Sequence, residues 1–162
     1  MTQKLTHFDE SGRARMVDVS AKSETSRLAL AHAEIKISAE LAQILAEGSL
    51  SKGDAFTVAK TAGILAAKRT GELIPMCHPL GLDQIEVEIR LDQPGGRIFL
   101  EATAKCQGKT GVEMEALVAV NLAALTVYDM CKAVDKGMLI ERVGLVRKEG
   151  GKSGLYQNPE FA

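Results

Sequence analysis

The 162-residue chain has no tryptophan, and aromatic residues make up only 4% of it. It therefore lacks the platforms on which proteins stack single-stranded nucleic acid. Neither charge is in excess: 20 Lys and Arg face 21 Asp and Glu, for a net charge of −1. A protein built to hold a polynucleotide backbone carries an overall basic footprint that is missing here, which leaves room only for a local basic pocket. Cysteine is sparse. Cys77, Cys106 and Cys131 are odd in number and irregularly spaced, which excludes a disulfide framework. Met1-Thr2-Gln3-Lys4 leads into Thr6-His7-Phe8-Asp9 with no apolar signal core, so a cytoplasmic protein with reduced thiols is expected. Long apolar runs are lacking too. The most apolar stretch, Ala116 to Val127, is broken by Asn121 and Thr126, falls short of the roughly 20 residues of a membrane span, and reads as a buried helix.

What is present is ordinary globular composition, 46% hydrophobic and 25% charged, which excludes collagen-like, mucin-like and wholly disordered chains. The length fits one domain on a scale of about 150 residues, and a fold of this size buries roughly 70% of its unfolded surface without help from a metal or disulfide. Residues 1–29 are polar and without sustained period, and read as an N-terminal arm. From Leu30, the residues Ala31, Ala33, Ile35 and Ile37 alternate with His32, Glu34 and Lys36, the signature of a half-buried strand over 30–37. Ser38 is an N-cap for a short helix that ends at Gly48, and Asp54 caps a second helix running from Ala55 to Arg69. Gly71 to Leu82, with Pro75, Pro79 and Gly81, is expected to be irregular and is long for a connection. Ile85 to Leu91 and Ile98 to Cys106 alternate around Pro94-Gly95-Gly96 as a hairpin. Val112 to about Val134 is a long Ala/Leu/Val helix closed by Gly137, and 140–147 form a weaker last strand.

The order β-α-α-β-β-α-β is that of the split βαβ unit with an extra helix. The expected fold is α+β and ferredoxin-like, an antiparallel sheet with helices packed on one face. Small side chains on the Ala-rich helix suit close approach to another subunit, so an oligomer is expected. The domain reading is an arm over 1–29, a ferredoxin-like catalytic domain over 30–149, and a Gly/Lys-rich tail over 150–162.

Several constellations could carry chemistry. On the long helix Met114, Asn121, Tyr128, Asp129, Lys132 and Lys136 fall within roughly a 100° arc. The stripe is either a solvent face on which Asp129 pairs with Lys132 at i,i+3, or a setting in which confinement and a carboxylate tune a lysine for proton transfer or phosphate binding. His78, held between Cys77 and Pro79 in a stiff loop, either caps backbone groups or serves as an acid/base group. Zinc is a poor reading of Cys77 and His78, because adjacent ligands are unusual and no partner pair at ligand spacing exists. Gly108-Lys109-Thr110-Gly111 and Gly151-Lys152-Ser153-Gly154 look like P-loop fragments, but Thr103 and Val146 stand where that motif needs its first glycine. The first still leads into a helix N-terminus suited to an anion. Glu113 beside it either offsets the helix dipole or is a ring-binding carboxylate. Lys52, Lys60, Lys68-Arg69 and Arg147-Lys148 with Lys152 are either solvated faces or contacts for a triphosphate.

Taken together, Met16-Val17-Asp18-Val19-Ser20, Lys52-Gly53-Asp54, Ala66-Ala67-Lys68-Arg69-Thr70, Leu73-Ile74-Pro75-Met76-Cys77-His78-Pro79-Leu80, Gly108-Lys109-Thr110-Gly111-Val112-Glu113-Met114-Glu115-Ala116-Leu117, Leu125-Thr126-Val127-Tyr128-Asp129-Met130-Cys131-Lys132-Ala133-Val134 and Gly150-Gly151-Lys152-Ser153-Gly154 occur in this order. In them the chain closely resembles the cyclic pyranopterin monophosphate synthases, the molybdenum cofactor biosynthesis protein C family, from about residue 5 to 155. The resemblance implies a lyase that receives 3′,8-cyclo-7,8-dihydro-GTP from an upstream radical SAM GTP cyclase. It would rearrange that substrate to cyclic pyranopterin monophosphate and release pyrophosphate. It further implies a ferredoxin-like fold and a homohexamer built as a trimer of dimers, with sites at subunit interfaces. Carried onto matching positions, Lys52 and Lys132 are the essential lysines and Asp129 the catalytic carboxylate. Met76, Cys77, His78, Met114 and Glu115 line the pterin or purine site, and Arg27, Lys68, Arg69, Lys148 and Lys152 contact phosphates. No protein-bound metal or other cofactor is required on this reading, although Mg²⁺ can travel with the triphosphate.

The residues make this chemistry sensible. Opening a purine and closing a pterin needs several proton transfers, which two lysines and a carboxylate can supply, and expelled pyrophosphate develops charge that wants Lys and Arg. The alternatives are a non-catalytic guanine-nucleotide-binding regulatory module and a purely structural assembly subunit.

Overall fold

A computed structural model describes residues 11–161; the first ten residues of the expected arm and the last residue of the tail lie outside the described residues. The fold is α+β: a five-stranded antiparallel sheet and four α-helices. The strands are β1 (Thr25–Lys36), β2 (Gln84–Asp92), β3 (Arg97–Gly108), β4 (Leu139–Glu149) and β5 (Tyr156–Gln157), and the helices are α1 (Ala39–Glu47), α2 (Ala55–Ala67), α3 (Thr70–Leu73) and α4 (Glu113–Cys131). The spatial strand order is β2-β3-β1-β4-β5, with neighbours paired antiparallel throughout.

The local signals explain most of these elements. The Ser38 hydroxyl accepts from Leu41 N at the start of α1, which ends on left-handed Gly48, and the Asp54 carboxylate accepts from Phe56 N and Thr57 N at the start of α2. Asp92 accepts from Gly95 N in the β2–β3 turn, where Gly96 takes a positive φ of 60°. On the helix-facing side of the sheet Ala29, Ala31, Ala33 and Ile35 of β1 sit beside Ile98, Leu100, Ala102, Ala104 and Cys106 of β3, all buried. This alternation is the pleat expressed as burial. Small residues bring the helices close. A Cβ placed on Gly63 of α2 would lie 2.8 Å from the Ala119 carbonyl oxygen of α4, so no side chain fits where the helices cross. By length and composition α4 could cross a membrane, yet it packs against α2, β1 and β3 and forms the centre of the core.

The structure corrects several expected boundaries. β1 begins at Thr25, inside the segment read as an arm, because Thr25 to Ala29 pair with Gly108 to Ala104 of β3. That long-range pairing leaves no periodic mark in the strand's own sequence. Thr70–Leu73 form the short helix α3 at the start of the stretch expected to be irregular. α4 ends at Cys131, three residues before Val134, so Lys136 does not belong to the helical stripe. The tail contains β5, which pairs with β4 at Arg147 and Lys148, and a 3-10 turn over Pro159–Phe161.

Candidate functional site

The candidate residues gather at the two ends of α4. At its C-terminal end Lys132, the C-cap residue, places Nζ 2.7 Å from Asp129 Oδ1. Lys52, from the Gly53-flanked turn before α2, donates to the Asp129 backbone carbonyl at 2.9 Å and has Nζ 3.9 Å from Asp129 Oδ2. The helix C-terminus favours cations and accounts for two lysines converging there. The Lys132 hydrogen bond holds the Asp129 carboxyl below the ordinary carboxylate range, with Lys52 adding to the effect, and Asp129 in turn raises Lys132 above an ordinary lysine. The cluster is open: the side chains of Asp129 and Lys132 are 62% and 52% exposed. The rest of the expected stripe is locally satisfied, since Asn121 Nδ2 donates to the Leu117 carbonyl and the Tyr128 hydroxyl to the Lys136 carbonyl.

At the N-terminal end a cleft of about 280 Å³ is lined by Met76, Cys77 and His78 from the proline-stiffened loop, Thr110, Gly111, Glu113, Met114 and Glu115 around the helix start, and Val17, Val19 and Lys22 from the arm. Glu115 is only 3% exposed, and burial pushes its carboxyl upward, with a smaller contribution from Glu113. Its side chain also lines an adjoining hollow of about 170 Å³ formed by Lys68, Arg69, Thr70 and Pro79. Burial likewise raises the Cys77 thiol, which makes it a neutral wall and not a nucleophile. Glu113 lies in the first turn of α4 and pairs with Lys148 Nζ at 2.8 Å. Arg27 Nε donates to the Gly108 carbonyl at 3.2 Å, and Gly151 lies directly against the Arg27 guanidinium. Arg27, Lys148 and the Lys152 loop thus lie on the cleft side.

The structure therefore joins the expected residues into two groups and does not join the groups. From Glu115 to Asp129 along α4 is about 21 Å at 1.5 Å per residue. The arm's part in the cleft was missed by residue-level reasoning. Lys109 Nζ donates to the Ser20 carbonyl at 3.2 Å, and Ser20 N donates to the Asp18 carboxylate at 2.8 Å. A hydrogen bond from the Ser20 side chain lowers the Asp18 carboxyl most, the Ser20 backbone bond adds to it, and His78 and Lys109 give weaker help. The available signal was the Met16-to-Ser20 block itself, an apolar-polar alternation too short to separate from a disordered arm. Among the described residues no group of three or more His, Cys, Asp and Glu is placed to hold a metal ion.

A small α+β chain with a lysine–carboxylate cluster at one end of its central helix and a carboxylate–imidazole cleft ringed by cations at the other is equipped to move protons on an anionic ligand. Residues 16–151 match the model of the MoaC family, and the chain belongs to that family. It is 56% identical over 154 residues to the cyclic pyranopterin monophosphate synthase of Roseiflexus sp. (strain RS-1), covering 95% of this chain and 98% of that one. The enzyme of the same name from Parvibaculum lavamentivorans is 54% identical over 96% of this chain and 97% of its own, and that of Roseiflexus castenholzii is 57% identical over 93% and 95%. Among solved structures, the ferredoxin protease FusC aligns with 67% of this chain and 10% of its own at 13% identity and a TM-score of 0.32, a likeness too slight to bear on the fold.

Proposed function

We propose that the chain is a cyclic pyranopterin monophosphate synthase of molybdenum cofactor biosynthesis, a lyase acting on 3′,8-cyclo-7,8-dihydro-GTP with release of pyrophosphate. The observation that carries this is the convergence of Lys52 and Lys132 on Asp129, in a chain whose relatives bear that name over nearly their whole length. Lys132, charged while paired with Asp129, is the proton donor, and its neutral form is the acceptor. Lys52 supplies the second ammonium at the same place, and the Asp129 carboxylate holds both lysines in position. At the other end, His78 and Glu113 hydrogen-bond the ring system between Met76, Cys77 and Met114, and Glu115, its neutral form favoured by burial, donates a proton or hydrogen bond to it. Arg27, Lys68, Arg69, Lys148 and Lys152 receive the phosphates, where charge develops as pyrophosphate leaves. Mg²⁺ enters, if at all, with the substrate phosphates.

A complete site needs both ends of α4, and their separation along the helix exceeds the reach of any side chain. The reading therefore pairs two copies of the chain, each giving its lysine end to the other's cleft. A two-fold axis across the middle of α4 would do this. It would also cover Leu125 on α4 and Val58 and Leu65 on α2, which are 53%, 45% and 55% exposed. The homohexamer, the ferredoxin-like assignment and the cytoplasmic location belong to the same proposal. The strand order with β1 between β3 and β4 supports the ferredoxin-like reading. No feature favours the regulatory alternative. The test is conversion of 3′,8-cyclo-7,8-dihydro-GTP by the purified chain, following pyrophosphate and pterin together. Ligand binding without either product would refute the synthase reading.

A further inference from the structure

We infer that the end of the chain is a positioning element for the phosphate side of the site, with Phe161 and Asn158 anchoring the β4–β5 hairpin so that its loop presents Lys152 beside Arg27. This rests on the proposed phosphate role of Lys152. After β4 the chain turns through Gly150, Gly151 and Gly154, which take φ of +98°, +70° and +61°, and returns as β5 with Tyr156 opposite Lys148. The loop is fixed on its near side by contact. A side chain on Gly150 would collide with the Ser26 carbonyl, and one on Gly151 with the Arg27 guanidinium. Lys152 follows directly and is exposed. Among the described residues neither Arg27 nor Lys152 has a carboxylate partner, and the Lys148 ammonium is neutralised only by Glu113. Like charges gathered without an anion repel one another, so something must hold the loop in place while the site is empty.

The far side of the hairpin supplies that hold on the sheet face turned away from the helices. Asn158 N donates to the Val146 carbonyl at 2.8 Å, and Asn158 Nδ2 to the Leu145 carbonyl at 3.0 Å. The Phe161 ring meets His32 edge-on at 5.4 Å between centroids and fills the space above Gly144, where a Cβ would come within 2.7 Å of it. Arg142 closes the arrangement: its guanidinium lies 5.6 Å over the Phe161 ring and donates to the Glu160 carbonyl, and its Nε reaches the buried Glu34 carboxylate at 3.1 Å. Arg142 takes a φ of +50° to do so. That conformation is costly for a residue with a side chain and persists only where surrounding contacts determine it.

The experiment compares the full chain with Phe161→Ala, Phe161→Leu, Lys152→Ala and the Lys152→Ala/Phe161→Ala double variant. Three readouts are used: steady-state kinetics with 3′,8-cyclo-7,8-dihydro-GTP, calorimetric affinity for inorganic tripolyphosphate, and the rate of trypsin cleavage after Lys152. Phe161→Ala is expected to speed that cleavage and to raise KM and the tripolyphosphate Kd about fivefold, the scale of one solvent-exposed ion pair, with kcat within about twofold. Phe161→Leu, which keeps an apolar plug, should restore most of the affinity. In the double variant the loss should equal that of Lys152→Ala alone, since one residue acts through the other. Unchanged cleavage, unchanged tripolyphosphate affinity despite faster cleavage, or additive losses would each overturn the inference. Wild-type chain that binds tripolyphosphate but never turns over would refute the synthase reading instead, leaving the anchoring to be decided by affinity and cleavage.

Discussion

Two variants that are each inactive must rescue one another if every site takes its lysine end from one chain and its cleft from another. The variants are Lys132→Ala, which removes the partner of Asp129 at 2.7 Å, and His78→Ala, which empties the loop side of the cleft. Proton-transfer groups contribute about 10² to 10⁴-fold, so the Lys132→Ala homodimer is nearly silent, and the His78→Ala homodimer, which no longer hydrogen-bonds the ring system in place, is expected to be severely impaired. Refolded together at equal concentration, half of the dimers contain one copy of each. In such a dimer one site unites the intact cleft of the Lys132 variant with the intact lysines of the His78 variant, and the other site carries both defects. Half the sites in half the dimers are whole, so specific activity should rise to about a quarter of wild type. Pyrophosphate release after co-refolding, against each parent refolded alone, reads this directly. Activity that stays at the mean of the two parents would show that one chain supplies the whole site. The 21 Å estimate along α4 would then have to be bridged by a rearrangement within the chain.

Other consequences are local. Asp129→Asn removes the group that raises Lys132, so the alkaline limb of the kcat/KM profile, set by loss of the lysine proton, should move to lower pH; an unmoved limb would mean that another group titrates there. Burial raises Glu115 in the folded chain, so its contribution is fully present below the unfolded carboxyl pKa and is lost as pH rises through the raised folded value. Glu115→Gln should accordingly leave Tm unchanged at acid pH and increase it near neutrality, and a pH-independent difference in thermal melts would contradict this. Gly63→Leu forces a side chain towards the Ala119 carbonyl and Val87 and should cost about 1–3 kcal/mol or more by chemical denaturation; a neutral result would mean that α2 and α4 can slide apart freely.

Much of the fold was legible because its signals are local. Ser38, Asp54 and Gly48 mark helix ends by chemistry that needs no tertiary partner, and the alternation around Pro94-Gly95-Gly96 marks a hairpin. What could not be read depends on distant pairing. Thr25 to Ala29 are strand because β3 lies along all of them and β4 along Leu28 and Ala29, and Tyr156–Gln157 because β4 lies beside them. The candidate site divides in the same way. Asp129 and Lys132 are neighbours at i,i+3, so their pairing follows from helix geometry. The approach of Lys52 from 77 residues away, the place of Val17, Val19 and Lys22 in the wall of the cleft that His78 also lines, and the seat of Phe161 on Gly144 are tertiary facts that no spacing rule encodes.

The most direct test of the account is a single-turnover reaction of the wild-type chain and Lys132→Ala with 3′,8-cyclo-7,8-dihydro-GTP, with pyrophosphate and pterin followed in parallel and affinity measured separately. The account predicts that wild type forms both products in equal amount, while the variant keeps most of its affinity and loses about 10² to 10⁴-fold in rate. Wild-type chain that binds the substrate and releases neither product, or a variant that turns over at the wild-type rate, would contradict it.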